Sequence, residues 1–372
     1  MLNEQFRAPK ISQAQMVATL VLARLFILLI FVPTTHETPG GTTSLVSILL
    51  GYLLTVVALI PVYFLMRNYP GMDLYQVTRQ ISPGLGKAAA AGFYLVCMLA
   101  VIETAAQFSM FLTSAVYPRA SSFWVTLIFC GAGLYMVFLG LEALTRTAAL
   151  LLVAVCASGI LIALGLWKFW DTLNLFSPFY EGIASVLYSA TLYFTQNLEL
   201  IALVLLLSNL NINQIRKAFW GYHNLANLMI WLMAFAAVII LGNYGESRSF
   251  PVYTMFALSG SNVFYRFDYI LIMIWVGTSM IRAALYLLLA SRMLNELTGR
   301  HWGWRIPALN GLVAALAAVA AVGDIKQLRL IYRSLASGLP VYLLVVLLPM
   351  VLLVIRWKRQ QAPRSKQKEG QA

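Results

Sequence analysis

Long unbroken apolar runs, rather than alternation or a narrow helical stripe, dominate this chain. They extend over Ser12–Phe31, Ser44–Leu65, Lys87–Val116, Phe123–Leu141, Leu144–Trp167, Ile183–Leu207, Phe219–Leu241, Tyr269–Leu294, Trp304–Val322 and Leu339–Trp357. A helix needs about 20 apolar residues to cross a bilayer, and a backbone in hydrocarbon must satisfy its own hydrogen bonds. The pattern therefore predicts an all-α polytopic membrane protein with ten transmembrane helices. The third run, about 30 residues, is long enough to demand tilt. Three shorter segments, Asp73–Ile81, Pro251–Leu258 and Gln327–Leu335, predict surface helices too short to span. Asp268 is placed to cap the eighth span, and Glu142 with Arg146 to pair four apart at the tight turn between the fourth and fifth.

Composition removes the soluble alternative. Of the 372 residues 61% are hydrophobic and 10% charged, against roughly 45–50% and 25% in globular chains. The net charge of +13 does not point to nucleic acid, because its placement follows the membrane. With the N-terminus inside, seventeen of the 26 Lys and Arg fall on inner segments and seven on outer ones, and Arg24 and Arg282 lie within spans. That distribution obeys the positive-inside rule and predicts that both termini are cytoplasmic. The basic tail, residues 358–372, is expected to rest on anionic membrane lipids. The first run is too long for a signal-peptide core and is expected to stay in the mature chain.

Cys97, Cys130 and Cys156 sit inside apolar runs without metal-ligand spacing and read as small buried hydrophobes. His36, His223 and His301 are scattered. No cofactor or metal is expected, and no nucleophile–base set, phosphate loop or metal motif stands above background, so the chain is not read as an enzyme.

Ten spans with both ends inside divide into five plus five. A five-span unit is odd, so its copy must be inverted, the plan of many secondary transporters. The predicted architecture is a five-plus-five inverted repeat, amino acid permease-like, with repeats at about 12–167 and 183–357. Four ionisable residues lie near the middle of spans: Arg24, Glu103, Glu199 and Arg282. Each costs about 2.5–3.5 kcal/mol on insertion scales; together they are neutral. Under the repeat, Arg24 corresponds to Glu199 and Glu103 to Arg282. Polar neighbours accompany them: Gln107 one turn beyond Glu103, and Tyr193, Thr195, Gln196 and Asn197 ahead of Glu199. Arg24, Glu103, Gln107, Tyr193, Asn197, Glu199 and Arg282 are the candidate ligand-binding residues for a small polar or zwitterionic molecule. The bland alternative is two buried ion pairs that lock helices together; for Asn197 it is an interhelical hydrogen bond. No Gly or Pro interrupts Gln13–Val32 or Ile183–Leu207, so the first and sixth spans are expected to be continuous, with recognition by side chains and no unwound carbonyl cluster to hold sodium.

Three stretches carry a family resemblance: KISQAQ before the first span, GLEALTRTAALLL at the fourth-to-fifth turn, and FPVYTMFALSGSNVFYRFDYILIMIWVG entering the eighth. With the span order, they make the chain similar to the B subunit of bacterial spore germinant receptors, within the amino acid, polyamine and organocation transporter superfamily. The resemblance implies a transporter-like fold and sensing of a small-molecule germinant, such as an amino acid or nucleoside, at the spore inner membrane. It also implies a complex with germinant receptor A and C subunits. A proton-coupled amino acid transporter using Glu103 or Glu199 is the other reading that the same pocket allows, and a passive scaffold is a third.

Overall fold

The computed structural model describes residues 11–29, 41–175, 182–246, 248, 250–258, 268–299, 302–323, 326, 330–331, 334–335 and 338–369. The first helix, α1 (Gln13–Leu25), opens on a capping box: Gln15 N–H donates to Ser12 Oγ, and Ser12 N–H donates to Gln15 Oε1. From Met16 onward every residue of α1 is buried, as expected of a helix enclosed by others. Its α-geometry stops at Leu25 and tightens into a 3₁₀ turn, Phe26–Leu29.

Helix α2 (Gly41–Ala58) continues as α3 (Ile60–Arg67) across Leu59, where Pro61 removes a backbone donor. The short α4 (Leu74–Ile81) is capped by Asp73, with Gln76 reaching back to close the box. Pro83 starts α5 (Pro83–Phe111), which runs on through a π turn to Val116. Helix α6 (Ser122–Leu166) covers the fourth and fifth predicted runs and is divided at Gly140, whose φ of 88° lies in the region that favours glycine. There the anticipated Glu142–Arg146 pair forms. Further along come α7 (Ile183–Thr195), α8 (Glu199–Leu206), α9 (Ile212–Leu241), α10 (Asn243–Glu246), α11 (Pro251–Leu258), α12 (Asp268–Thr298) and α13 (Arg305–Gly323). The last span enters at Leu339–Val341, passes a π-helical stretch at Tyr342–Leu347 and ends as Leu348–Glu369.

Among the described residues, seven helices are long and apolar enough to cross a membrane, and an eighth span arises if α7 and α8 count as one. The expected count of ten is therefore not confirmed among the described residues. The first run contributes only 13 helical residues before its 3₁₀ turn, and two runs are merged in α6. The short helices expected at Asp73–Ile81 and Pro251–Leu258 are present as α4 and α11; much of 327–335 lies outside the described residues.

The centre is built by α5 against α12, with α1 set between α12, α6 and α9, and with α8 touching α1, α4 and α12. Helices α2 and α7 pack together on one flank, and α13 covers α5 and α6 on another. A local correspondence runs through this plan: short α4 lies on long α5, and short α11 lies on long α12. Outward faces are apolar, as at Leu150, Val153, Ile160 and Leu164 of α6. Exposed Trp167 and Trp170 follow one end of α6, and exposed Trp302 and Trp304 precede α13, the placement of an interfacial aromatic belt. Cys97 and Cys130 are buried as expected; Cys156 is instead exposed on this outward surface.

Candidate functional site

The sixth apolar run is not one helix. Helix α7 stops at Thr195, α8 starts at Glu199, and the two axes differ by 40°. This overturns the expectation of a continuous helix, which rested on the lack of Gly and Pro. The break is made by hydrogen-bond partners rather than by a helix-breaking residue. In a regular helix the Tyr193 and Gln196 carbonyls would accept from the N–H groups four residues on. Here Asn197 N–H goes to Phe194 O, Leu198 N–H to Gln196 O and Leu200 N–H to Asn197 O. Arg24 Nη2 then donates to Tyr193 O at 3.1 Å and Nη1 to Gln196 O at 2.6 Å. Asn197 Oδ1 accepts from the Tyr222 hydroxyl at 2.5 Å. Two side chains from α1 and α9 thus hold open a turn that propensity alone would close.

The electrostatics of the break are favourable. The C-terminal end of α7 carries partial negative charge and faces the Arg24 guanidinium; the N-terminal end of α8 carries partial positive charge and begins with the Glu199 carboxylate. Arg24 also lies over the Tyr193 ring, 4.9 Å from its centroid.

All four mid-span charges meet here. Arg282 of α12 is the hub: Nη1 lies 2.7 Å from Glu199 Oε1, and Nη2 lies 3.2 Å from Glu103 Oε2. Its Nε donates to Thr104 Oγ1 at 3.1 Å, and Nη1 also donates to Ala23 O, near the end of α1, at 3.3 Å. Arg24 Nη1 is 3.9 Å from Glu199 Oε2. None of the four is more than 3% exposed. The Tyr286 hydroxyl donates to Glu199 Oε1, while the other carboxylate oxygen, Glu199 Oε2, has no hydrogen-bond partner among the described residues. The cross-pairing, left open by sequence, resolves into a chain: Glu103 to Arg282, Arg282 to Glu199, and more weakly Glu199 to Arg24.

Of the other candidates, Tyr193 joins through its carbonyl and ring, and its hydroxyl donates to Asn227 Oδ1 at 2.7 Å. Asn197 adjoins the charges through the break but bonds to Tyr222, not to an ion. Gln107 is buried one turn along α5 from Glu103. The sequence reading missed Thr104, Tyr222, Tyr286 and Asn227. Tyr286 had a signal, standing one helical turn after Arg282 on the same face; Tyr222 and Asn227, on a different span, had none.

A second ionic cluster closes one end of the bundle. Asp73, fully buried, caps α4, pairs with Arg292 of α12 and accepts from Ser208 Oγ at 3.0 Å. Arg292 also donates to Leu205 O, and beside it Arg79 and the Tyr75 hydroxyl share Glu296. Burial, and then Glu296, push the Tyr75 phenol above its ordinary range.

With this geometry in hand, comparison with known proteins places the chain. The model of the spore permease family, described as spore germination protein, matches residues 10–302. The chain belongs to this spore germination family. Among curated proteins no sequence matches it. Among solved structures, a Na+-coupled sialic acid symporter in a substrate-bound, outward-open state superposes with a TM-score of 0.65 at 10% identity, over 92% of this chain and 81% of that one. MhsT in complex with L-phenylalanine superposes with a TM-score of 0.55 at 14% identity, over 94% and 99%. At such identities the likeness is one of fold, and it establishes the amino acid permease-like architecture. This spore germination protein is a transporter-like integral membrane protein.

Proposed function

We propose that this chain is the membrane-embedded, ligand-sensing B-type subunit of a spore germinant receptor, and that the cluster at the α7–α8 break is where a small nutrient binds. One observation carries the reading: two buried cations and two buried anions converge at a helix break, with one carboxylate oxygen of Glu199 facing Arg24 at 3.9 Å and without a hydrogen-bond partner among the described residues. An amino acid suits such a chamber, its carboxylate toward Arg24 or Arg282 and its ammonium toward Glu199 or Glu103. Gln107, Tyr193 and Asn197 complete the polar lining. The repeats run over 12–167 and 183–357, the chain sits in the spore inner membrane with both termini inside, and receptor A and C subunits are its partners.

The present pairings are strong enough that ligand must compete with them. A shift from 1:99 to 99:1 between two arrangements needs about 5.5 kcal/mol of differential binding, more than the ~1.5–3 kcal/mol of one charged hydrogen bond. Signalling therefore uses several of these contacts together, or draws bias from the partner subunits.

Proton-coupled amino acid transport is the second reading, favoured by two buried carboxylates, Glu103 and Glu199, at the helix break. Vesicles containing the purified chain, loaded against a panel of radiolabelled L-amino acids, separate the two. No uptake by the chain alone, with amino-acid-triggered germination that requires this chain and its companions, is the receptor outcome. Concentrative uptake driven by an imposed pH gradient is the transporter outcome and overturns the receptor reading.

A further inference from the structure

Along α9, Trp220, Asn224, Leu228 and Leu232 follow one another at four-residue spacing on a single exposed face. Three of them suit lipid and one does not. Counted from Ile212, Asn224 is the thirteenth of the 30 residues of α9, about 4 Å from the middle of the helix at 1.5 Å per residue. It therefore lies well inside a hydrocarbon layer about 30 Å thick. Its Oδ1 accepts from the hydroxyl of Tyr52, on neighbouring α2, at 2.9 Å. Its amide donors find no acceptor among the described residues. Asn227, three residues on and buried, is the contrast, since it sends its amide to His223 O within its own helix. An amide facing acyl chains has neither water nor a lipid acceptor at that depth, and polar groups so placed join transmembrane helices.

We propose that the seam between α2 and α9 is a self-association surface, on which a second copy of this chain docks about a twofold axis along the membrane normal with the two Asn224 carboxamides paired. Three features select a second copy as the occupant. The carboxamide is self-complementary, because one Nδ2 N–H can donate to the partner's Oδ1, which keeps a lone pair beyond the one that Tyr52 uses. Copies inserted in the same orientation carry Asn224 at the same depth, so a twofold contact aligns the two amides and closes as a dimer. Trp220 and Leu228, one turn to either side, are apolar, so the incoming face needs no compensating charge. The inference is separate from what the central chamber binds.

The test counts subunits by single-molecule photobleaching of the dye-labelled full chain in phosphatidylcholine vesicles over a range of protein densities. Wild type passes from single chains to pairs as density rises. Asn224→Leu, an outward change, needs a density about tenfold higher, whereas Asn224→Gln, which keeps a carboxamide, stays within about threefold. Leu150→Ala, on the outward face of α6, pairs as wild type does. A second measurement leaves Asn224 in place: with Cys156→Ser removing the exposed native thiol, Leu228→Cys forms a disulfide between copies on oxidation with copper phenanthroline, and Leu150→Cys does not. A wild-type chain that stays single at every density overturns the proposal, as does Asn224→Leu that pairs like wild type. If Asn224→Leu does not fold, the Leu228→Cys result decides, and absence of that disulfide overturns the proposal. A Leu228→Cys crosslink made only to a co-expressed companion subunit assigns the seam to another partner and overturns it too.

Discussion

At the scale of single residues, the informative fact is the inequality of the four charges. Arg282 contacts both carboxylates and two neutral oxygens, whereas Arg24 reaches Glu199 only at 3.9 Å and spends its donors on backbone carbonyls. Breaking a buried pair by removing one partner costs about 3–5 kcal/mol, because the other charge is stranded. Arg282→Met is therefore expected to lower stability by that order, and Glu199→Gln in the same chain to recover part of it. Double-variant cycles on thermal melting should rank the couplings Arg282–Glu199, then Arg282–Glu103, then Arg24–Glu199; a largest coupling at Arg24–Glu199 would contradict the assigned geometry. The four residues were legible in the sequence, since charge in an apolar run stands out against its cost. Their ranking was not. It depends on which rotamers reach across three helix interfaces, and no spacing along a single chain encodes that.

At the scale of elements, the α7–α8 break is the feature that sequence reasoning got wrong, for a definable reason. Gly and Pro mark breaks caused by the backbone itself. The break at Gln196–Leu198 is imposed from outside, by Arg24 of α1 and Tyr222 of α9, residues 172 and 25 positions away. The readings that held rest on local contacts: the short helix expected at Asp73–Ile81 starts on a capping box within four residues, and the tight turn expected between the fourth and fifth runs rests on the φ of one residue, Gly140. Two changes probe the break. Tyr222→Phe removes one buried hydrogen bond and strands Asn197 Oδ1, with an expected loss of about 1–3 kcal/mol in melting experiments; no loss would remove Tyr222 from the account. Gly338 (φ 77°) precedes the last span and abuts the break: a Cβ there would lie 2.2 Å from Thr195 Cβ. Gly338→Ala is expected to displace Thr195 and the adjoining Gln196 carbonyl, weakening both stability and ligand response, and a variant normal in both would show that this contact is slack.

At the scale of the whole molecule, two ionic clusters stand on the same long helix. Arg282 belongs to the central charged cluster, and Arg292, ten residues on, ties α12 to Asp73 at one end of the bundle. Helix α8 belongs to both, through Glu199 and through Leu205 O. Asp73→Asn keeps a good N-cap for α4 but removes the charge that holds Arg292. Faster amide exchange in α4 and at the end of α12, with α1 and α5 unchanged, is the expected result; uniform protection would mean that this cluster does not hold the end closed. The architecture was readable from apolar runs, though its count of ten was not reached among the described residues. The family followed from loop motifs whose order in the chain matched. The central claim remains that the charged cluster at the helix break is a ligand chamber rather than a lock. Its most direct test is ligand-induced thermal stabilisation of the purified chain across the twenty L-amino acids, repeated with Glu199→Gln and Glu103→Gln proteins that still fold. The account predicts that at least one amino acid stabilises wild type and that Glu199→Gln weakens its binding tenfold or more. Equal stabilisation of wild type and both variants by the same amino acid would contradict it.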